Sequence, residues 1–221
     1  MKKSAVTSVD LVKNVSILFT FLLIVWGLYR IIFRFPEEIE ELIIKPVIWI
    51  IPTLYFALVK EKDNLESIGI TFRNLFPAVY FSIALGALFG VVAMVLNFIK
   101  YGGTFNFGAN LGSLPLLSSV GVSFATAVSE EIVFRGYIFG RLWKALDKEI
   151  LANVITSVLW TIIHIPVTIF ILKLALPAAF VYLTLTCVYS LGAGFIYART
   201  KNVFSPIFLH VLWEWPIILF R

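Results

Sequence analysis

A chain of 221 residues that is 60% hydrophobic and 14% charged, with a mean hydropathy of +0.97, has too little polar surface to close a soluble globule. Its net charge of +5 is not a nucleic-acid signature, because the lysines and arginines sit in short connections between apolar runs, the pattern that orients membrane helices. These totals predict an all-α protein: a single membrane-embedded domain over residues 1–221, built as a polytopic transmembrane bundle of about seven to eight helices.

Apolar runs long enough to cross a bilayer lie at about 15–33, 44–59, 75–99, 113–140, 150–172, 176–198 and 203–220. The first follows Met1-Lys2-Lys3 and has no convincing small-residue cleavage site after it, so it reads as an uncleaved span rather than a signal peptide. The second is short and carries Pro46 and Pro52. The acidic run Glu37–Glu41 before it reads as a solvated loop. Basic residues favour the head (Lys2, Lys3, Lys13) and the even-numbered connections: Lys60, Lys62 and Arg73, then Arg141, Lys144 and Lys148, then Arg199 and Lys201. Arg30, Arg34 and Lys45 in the first connection run against that trend. The bias predicts a cytoplasmic N-terminus, and the expected location is the plasma membrane, as an integral membrane protein. Cys187, the single cysteine, has no internal disulfide partner.

The fourth span contains VSEEIVFRGYIF, with three ionisable groups in an apolar context. A charge at bilayer depth costs roughly 2.5–3.5 kcal/mol on insertion scales, so such groups are paired and are functional candidates by default. Glu131 and Arg135 stand four apart on one helix face and can pair. Glu130 is rotated about 100° away, with Phe134 as its i+4 neighbour, and is left to face a cavity. A purely structural ion cluster is the competing reading of this segment. The chain has two histidines, His164 and His210, and both fall within predicted spans. Glu214 follows one turn after His210. Measured along their helices from the cytoplasmic ends, Glu130, His164, His210 and Glu214 lie roughly 10–20 Å deep, so three helices bring polar groups to one level. Pro166 removes a backbone donor just after His164 and can bend that helix. Gly136 and Gly140 form a small-xxx-small pair suited to close packing, and Gly192 and Gly194 permit close helix contact. Trp213 and Trp215 flank Glu214 and read first as packing residues.

A carboxylate and a histidine facing one water suit hydrolysis: the carboxylate takes the water's proton and passes it to the leaving amine, His164 orients the water, and a second histidine donates to the oxyanion. The same groups, Glu130, His164, His210 and Glu214, could instead hold one divalent metal such as zinc. HExxH, GxSxG and a Walker loop are all absent.

The order Glu130-Glu131-xxx-Arg135, Trp160-xxx-His164, His210-xxx-Glu214 resembles the CPBP (Abi) family of intramembrane proteases, which includes CAAX-prenyl endopeptidases and bacteriocin-processing or bacteriocin-immunity proteins. The resemblance covers about residues 113–215. It implies a helical membrane fold with a site open toward the cytoplasm, Glu130 and His164 as water activators, and His210 with the third-motif polar residue at the oxyanion. Glu131, Arg135 and Trp160 would support them. Both metal-free and metal-dependent descriptions exist for the family, so the cofactor is either none or a single divalent ion. The family's second motif usually has Phe where this chain has Trp160, which is expected to wall the cavity. Its third usually ends in Asn. Glu214 must there be protonated to donate, or ligate a metal, or leave a weakened oxyanion hole.

The expected function is therefore an endopeptidase hydrolysing a hydrophobic or lipid-modified peptide near the cytoplasmic leaflet, with the bilayer and that peptide as partners and no nucleic acid. The alternatives are a non-catalytic binding or bacteriocin-immunity protein and a proton-coupled transporter. The transporter reading lacks visible inverted repeats. The sequence names neither the substrate nor the oligomeric state.

Overall fold

The computed structural model describes residues 6–106 and 116–219, with the side chains of Leu116 and of residues 214–219 outside the described residues. Its regular structure there is entirely helical. Six helices are long and apolar enough to cross a membrane: α1 (Ser8–Ile32), α2 (Glu37–Lys60), α3 (Leu75–Lys100), α4 (Leu117–Leu146), α5 (Glu149–Ile171) and α6 (Leu176–Thr200). A seventh, α7 (Phe204–Leu219), is apolar and follows directly. The protein is an integral membrane bundle; among the described residues these seven helices overlap the seven expected spans, six of them long and apolar enough to cross.

The helix ends depart from the apolar runs for identifiable reasons. The first helix begins at Ser8, well before the greasy stretch, because Thr7 and Asp10 form a capping box: the Asp10 N–H donates to Thr7 Oγ1 at 3.2 Å and the Thr7 N–H donates to Asp10 Oδ2 at 3.1 Å. The second begins at Glu37, so most of the supposed acidic loop is helix. Pro36 precedes it, and Glu37 and Glu38 occupy the first turn, where the dipole favours anions. Glu40 and Glu41 are buried, which corrects the solvated-loop reading. Glu40 accepts from Tyr29 and from the Phe35 N–H and pairs with Arg30. The fourth helix runs past the expected stop at 140 and ends at Leu146, where Asp147 turns left-handed at φ 52°. Its expected first residues, 113–115, lie outside the described residues, as do Lys2 and Lys3.

The connection between α2 and α3 is held by buried polar contacts. Asn64 caps a 3-10 turn at Leu65–Ile68 by accepting from the Ser67 N–H at 3.0 Å. Glu61 accepts from Asn14 of α1 at 3.0 Å and from Arg141 Nε of α4 at 2.7 Å. Arg141 Nη1 also donates to the Ser67 carbonyl at 2.9 Å. The turn lies directly on α4: a methyl group added to Gly136 would stand 2.5 Å from the Ile68 carbonyl oxygen. The small residue expected to allow close packing thus serves a turn rather than a helix. Between α5 and α6 the close approach is helical, with Gly194 against Asn153. Asn202, after α6, donates to the Thr71 and Arg73 carbonyls at 2.9 and 2.7 Å. The beginning of α1, the end of α4 and the connections after α2 and α6 therefore share one end of the bundle.

The core runs through the middle, from Leu18, Leu22 and Trp26 of α1 and Trp49 of α2 to Phe134 and Tyr137 of α4, Trp160 of α5, and Tyr189 and Ile196 of α6. Outward faces carry exposed apolar side chains such as Ile83, Val91, Ile169 and Val181, as lipid contact requires.

Candidate active site

Both glutamates of the first motif are buried just before a stretch of α4, Ile132–Phe139, wound with i→i+5 hydrogen bonds. Such widened turns recur at functional sites. Glu131 is fully buried and draws three helices together. Arg135 of the same helix lies 3.0 Å from its Oε2. Its Oε1 accepts from the Tyr189 hydroxyl of α6 at 2.8 Å and meets His210 Nδ1 of α7 at 2.8 Å. The Glu131–Arg135 pairing expected from i,i+4 spacing is present, and the carboxylate also orients His210.

The Arg135 guanidinium lies over two aromatic rings, its Cζ 4.3 Å from the Trp160 centroid and 5.4 Å from that of Tyr189. Trp160 is 1% exposed, with ring centroids 4.9 Å from His164, 5.7 Å from His210 and 4.8 Å from Phe134. It forms the wall shared by both histidines.

The hydrogen bonds fix the imidazole tautomers. His164 Nδ1 is 2.7 Å from the Trp160 carbonyl oxygen. A carbonyl only accepts, so Nδ1 carries the proton and Nε2 of the neutral ring carries the lone pair. His210 likewise presents Nδ1–H to Glu131, so any hydrogen bond it gives to an oxyanion must come from Nε2 of the protonated ring, with Glu131 as the counter-charge. Glu130, Lys45 and His210 all lie close enough to act electrostatically on His164. Residues of the three motifs, on α4, α5 and α7, thus reach one region.

Glu130 differs from the expectation. It does not stand alone before a cavity: it forms a buried ion pair with Lys45 of α2. The Lys45 ammonium also donates to Glu41 Oε2 at 2.7 Å, and Thr126 of α4 donates to the same oxygen at 2.7 Å. Trp26 and Trp49 rings flank the ammonium, each with its centroid 5.5 Å away. Sequence reasoning assigned Lys45 to a loop. The missed signal was the Glu41–Lys45 spacing of four, the same rule that found Glu131 and Arg135. Tyr189 was also missed, because a tyrosine in a long apolar helix carries no motif.

Glu214 lies on α7, but its side chain is outside the described residues. Among the described residues, no three His, Cys, Asp or Glu side chains are grouped to hold a metal ion. Glu130 faces an ammonium instead.

A protein-family model described as Type II CAAX prenyl endopeptidase Rce1-like matches residues 112–216. A Bacillus subtilis (strain 168) protein named "Putative membrane peptidase YdiL" is 29% identical over 109 residues, which cover 49% of this chain and 38% of that protein. The match thus spans under two fifths of that relative's length. No solved structure matches the chain significantly. The motif residues of α4, α5 and α7 all fall inside the matched stretch, which covers just under half of this chain.

Proposed function

We propose that the protein is an intramembrane endopeptidase that hydrolyses a hydrophobic or lipid-modified peptide near the cytoplasmic leaflet, through a water activated by Glu130 and His164. The observation that carries this reading is the linkage of Glu131, Arg135, Tyr189 and His210 across three helices, with Trp160 joining His210 to His164. It supplies His164 with Nε2 as its acceptor and His210 held by a second carboxylate, inside a segment matching a CAAX prenyl endopeptidase family.

In the proposed reaction, His164 Nε2 accepts a hydrogen bond from water and Glu130 takes its proton. The water oxygen adds to the scissile carbonyl carbon. His210 Nε2–H and Glu214 support the oxyanion, with Glu214 donating in its protonated form. Cleavage of the C–N bond then sends the proton from Glu130 to the leaving amine.

We also propose a cytoplasmic N-terminus and a plasma-membrane location. Arg30 and Lys45, two of the three basic residues that opposed this orientation, are ion-paired inside the bundle, which leaves Arg34 as the exception.

The test is cleavage of a farnesylated peptide ending in Cys-aliphatic-aliphatic-X, and of its unmodified form, by the full chain in proteoliposomes. Product formation that is lost in Glu130→Ala and His164→Ala while both variants still fold is the expected result. Equal cleavage by these variants refutes the mechanism. A non-catalytic binding or immunity role is the second reading, favoured by the occupation of Glu130 by Lys45; biological function surviving both substitutions would establish it.

A further inference from the structure

The matched family segment begins at residue 112, yet the residue bound to Glu130 belongs to α2, in the other half of the chain. Lys45 is 3% exposed and is reached by two carboxylates, Glu41 on its own helix and Glu130 on α4. A lone surface cation paired for topology would show neither feature. Burying an ammonium is costly unless it is paired, so the placement of this lysine is tied to the two carboxylates it contacts.

We propose that Lys45 is a positioning residue for the site, holding the Glu130 carboxylate in the orientation needed for water activation, with Glu41 as its permanent anchor. The inference rests on the protease reading given above. Three contacts fix the ammonium: Glu41 Oε2 at 2.7 Å and the faces of Trp26 and Trp49. Thr126 locks Glu41 from α4, one helical turn before Glu130. The result is a rigid arm from α2 that grips one oxygen of Glu130 and leaves the other to meet water. When Glu130 takes the water's proton, Lys45 keeps Glu41 as partner, so no bare cation is left buried during the step. The catalytic unit then includes α2, and the matched half alone is incomplete.

The experiment uses the full chain in proteoliposomes with the farnesylated peptide, comparing wild type, Lys45→Met, Lys45→Arg, Glu130→Gln and Lys45→Met/Glu130→Gln. Lys45→Met is expected to lower kcat at least about 100-fold, the scale of a misplaced general base, with KM nearly unchanged. Lys45→Arg recovers most of the loss, and the double variant is no slower than Glu130→Gln alone. A Lys45→Met enzyme with wild-type kcat overturns the proposal, as does one whose loss is confined to KM. Melting midpoints of the same variants in detergent test the contact without relying on turnover. Non-additive shifts for positions 45 and 130 support it, and additive shifts overturn it. A wild type that cleaves nothing but shows non-additive midpoints refutes the protease reading and not the contact.

Discussion

His210 Nδ1 lies 2.8 Å from Glu131 Oε1, so the third motif is oriented by the glutamate beside the proposed base and not by the base itself. The two adjacent carboxylates of α4 thereby divide their work. Glu131 organises Arg135, Tyr189 and His210, while Glu130 meets Lys45.

That division makes Glu131 the more damaging residue to lose for folding. Glu131→Ala strands a buried arginine, and breaking a buried pair costs about 3–5 kcal/mol. The expected outcome is a large drop in melting midpoint and in yield from membranes, read by thermal denaturation in detergent, whereas Glu130→Ala remains foldable.

Tyr189→Phe deletes one hydrogen bond to Glu131 and keeps the ring on which Arg135 rests. A loss of about 0.5–1.5 kcal/mol is expected. Cleavage should fall less than in His210→Ala, because Glu131 still holds His210. A peptide-cleavage time course on both variants checks the order.

His164→Ala removes the Nε2 lone pair but leaves the Trp160 wall. Cleavage should fall by about 10²–10⁴, with the melting midpoint close to wild type. His164→Gln, whose amide oxygen can still accept a hydrogen bond from water, should recover part of the rate.

Gly136→Ala places a methyl group 2.5 Å from the Ile68 carbonyl oxygen, a backbone atom that cannot swing away. Overpacking of this kind costs about 1–3 kcal/mol. Gly140→Ala meets nothing nearer than 3.9 Å and should be silent, so comparing the two melts isolates the contact.

Chelation separates the two cofactor readings. With Glu130 engaged by the Lys45 ammonium and acting as the base, cleavage is expected to persist in chelator. Assays with and without a zinc chelator, alongside metal analysis of the purified protein, check this. Loss on chelation and recovery with zinc would transfer the chemistry to a metal.

The architecture was legible because lipid imposes a simple rule: each crossing needs a long apolar helix, and seven such runs stand out between basic connections. The Glu131–Arg135 pair was legible because i,i+4 neighbours face one another whatever surrounds them. Glu41–Lys45 obeys the same rule but went unread, since residues beside a run of glutamates look like loop. Its contact with Glu130 spans most of a hundred residues and depends on how α2 packs on α4, which no local pattern encodes. The polar tie of Tyr189 to Glu131 is of the same kind. Helix starts at Ser8 and Glu37 were missed because apolar runs mark the hydrocarbon slab, whereas caps and first-turn acids continue the helix beyond it.

The widened winding over Ile132–Phe139 sets a phase between two charged stations on one rod: Glu130 and Glu131 before it, Arg141 after it. Deleting a single amino acid there, with the winding kept, would swing one station by roughly a quarter of a turn relative to the other. Either the carboxylates would leave their partners or Arg141 would lose Glu61. The stretch is therefore intolerant of length changes even where its side chains are interchangeable grease.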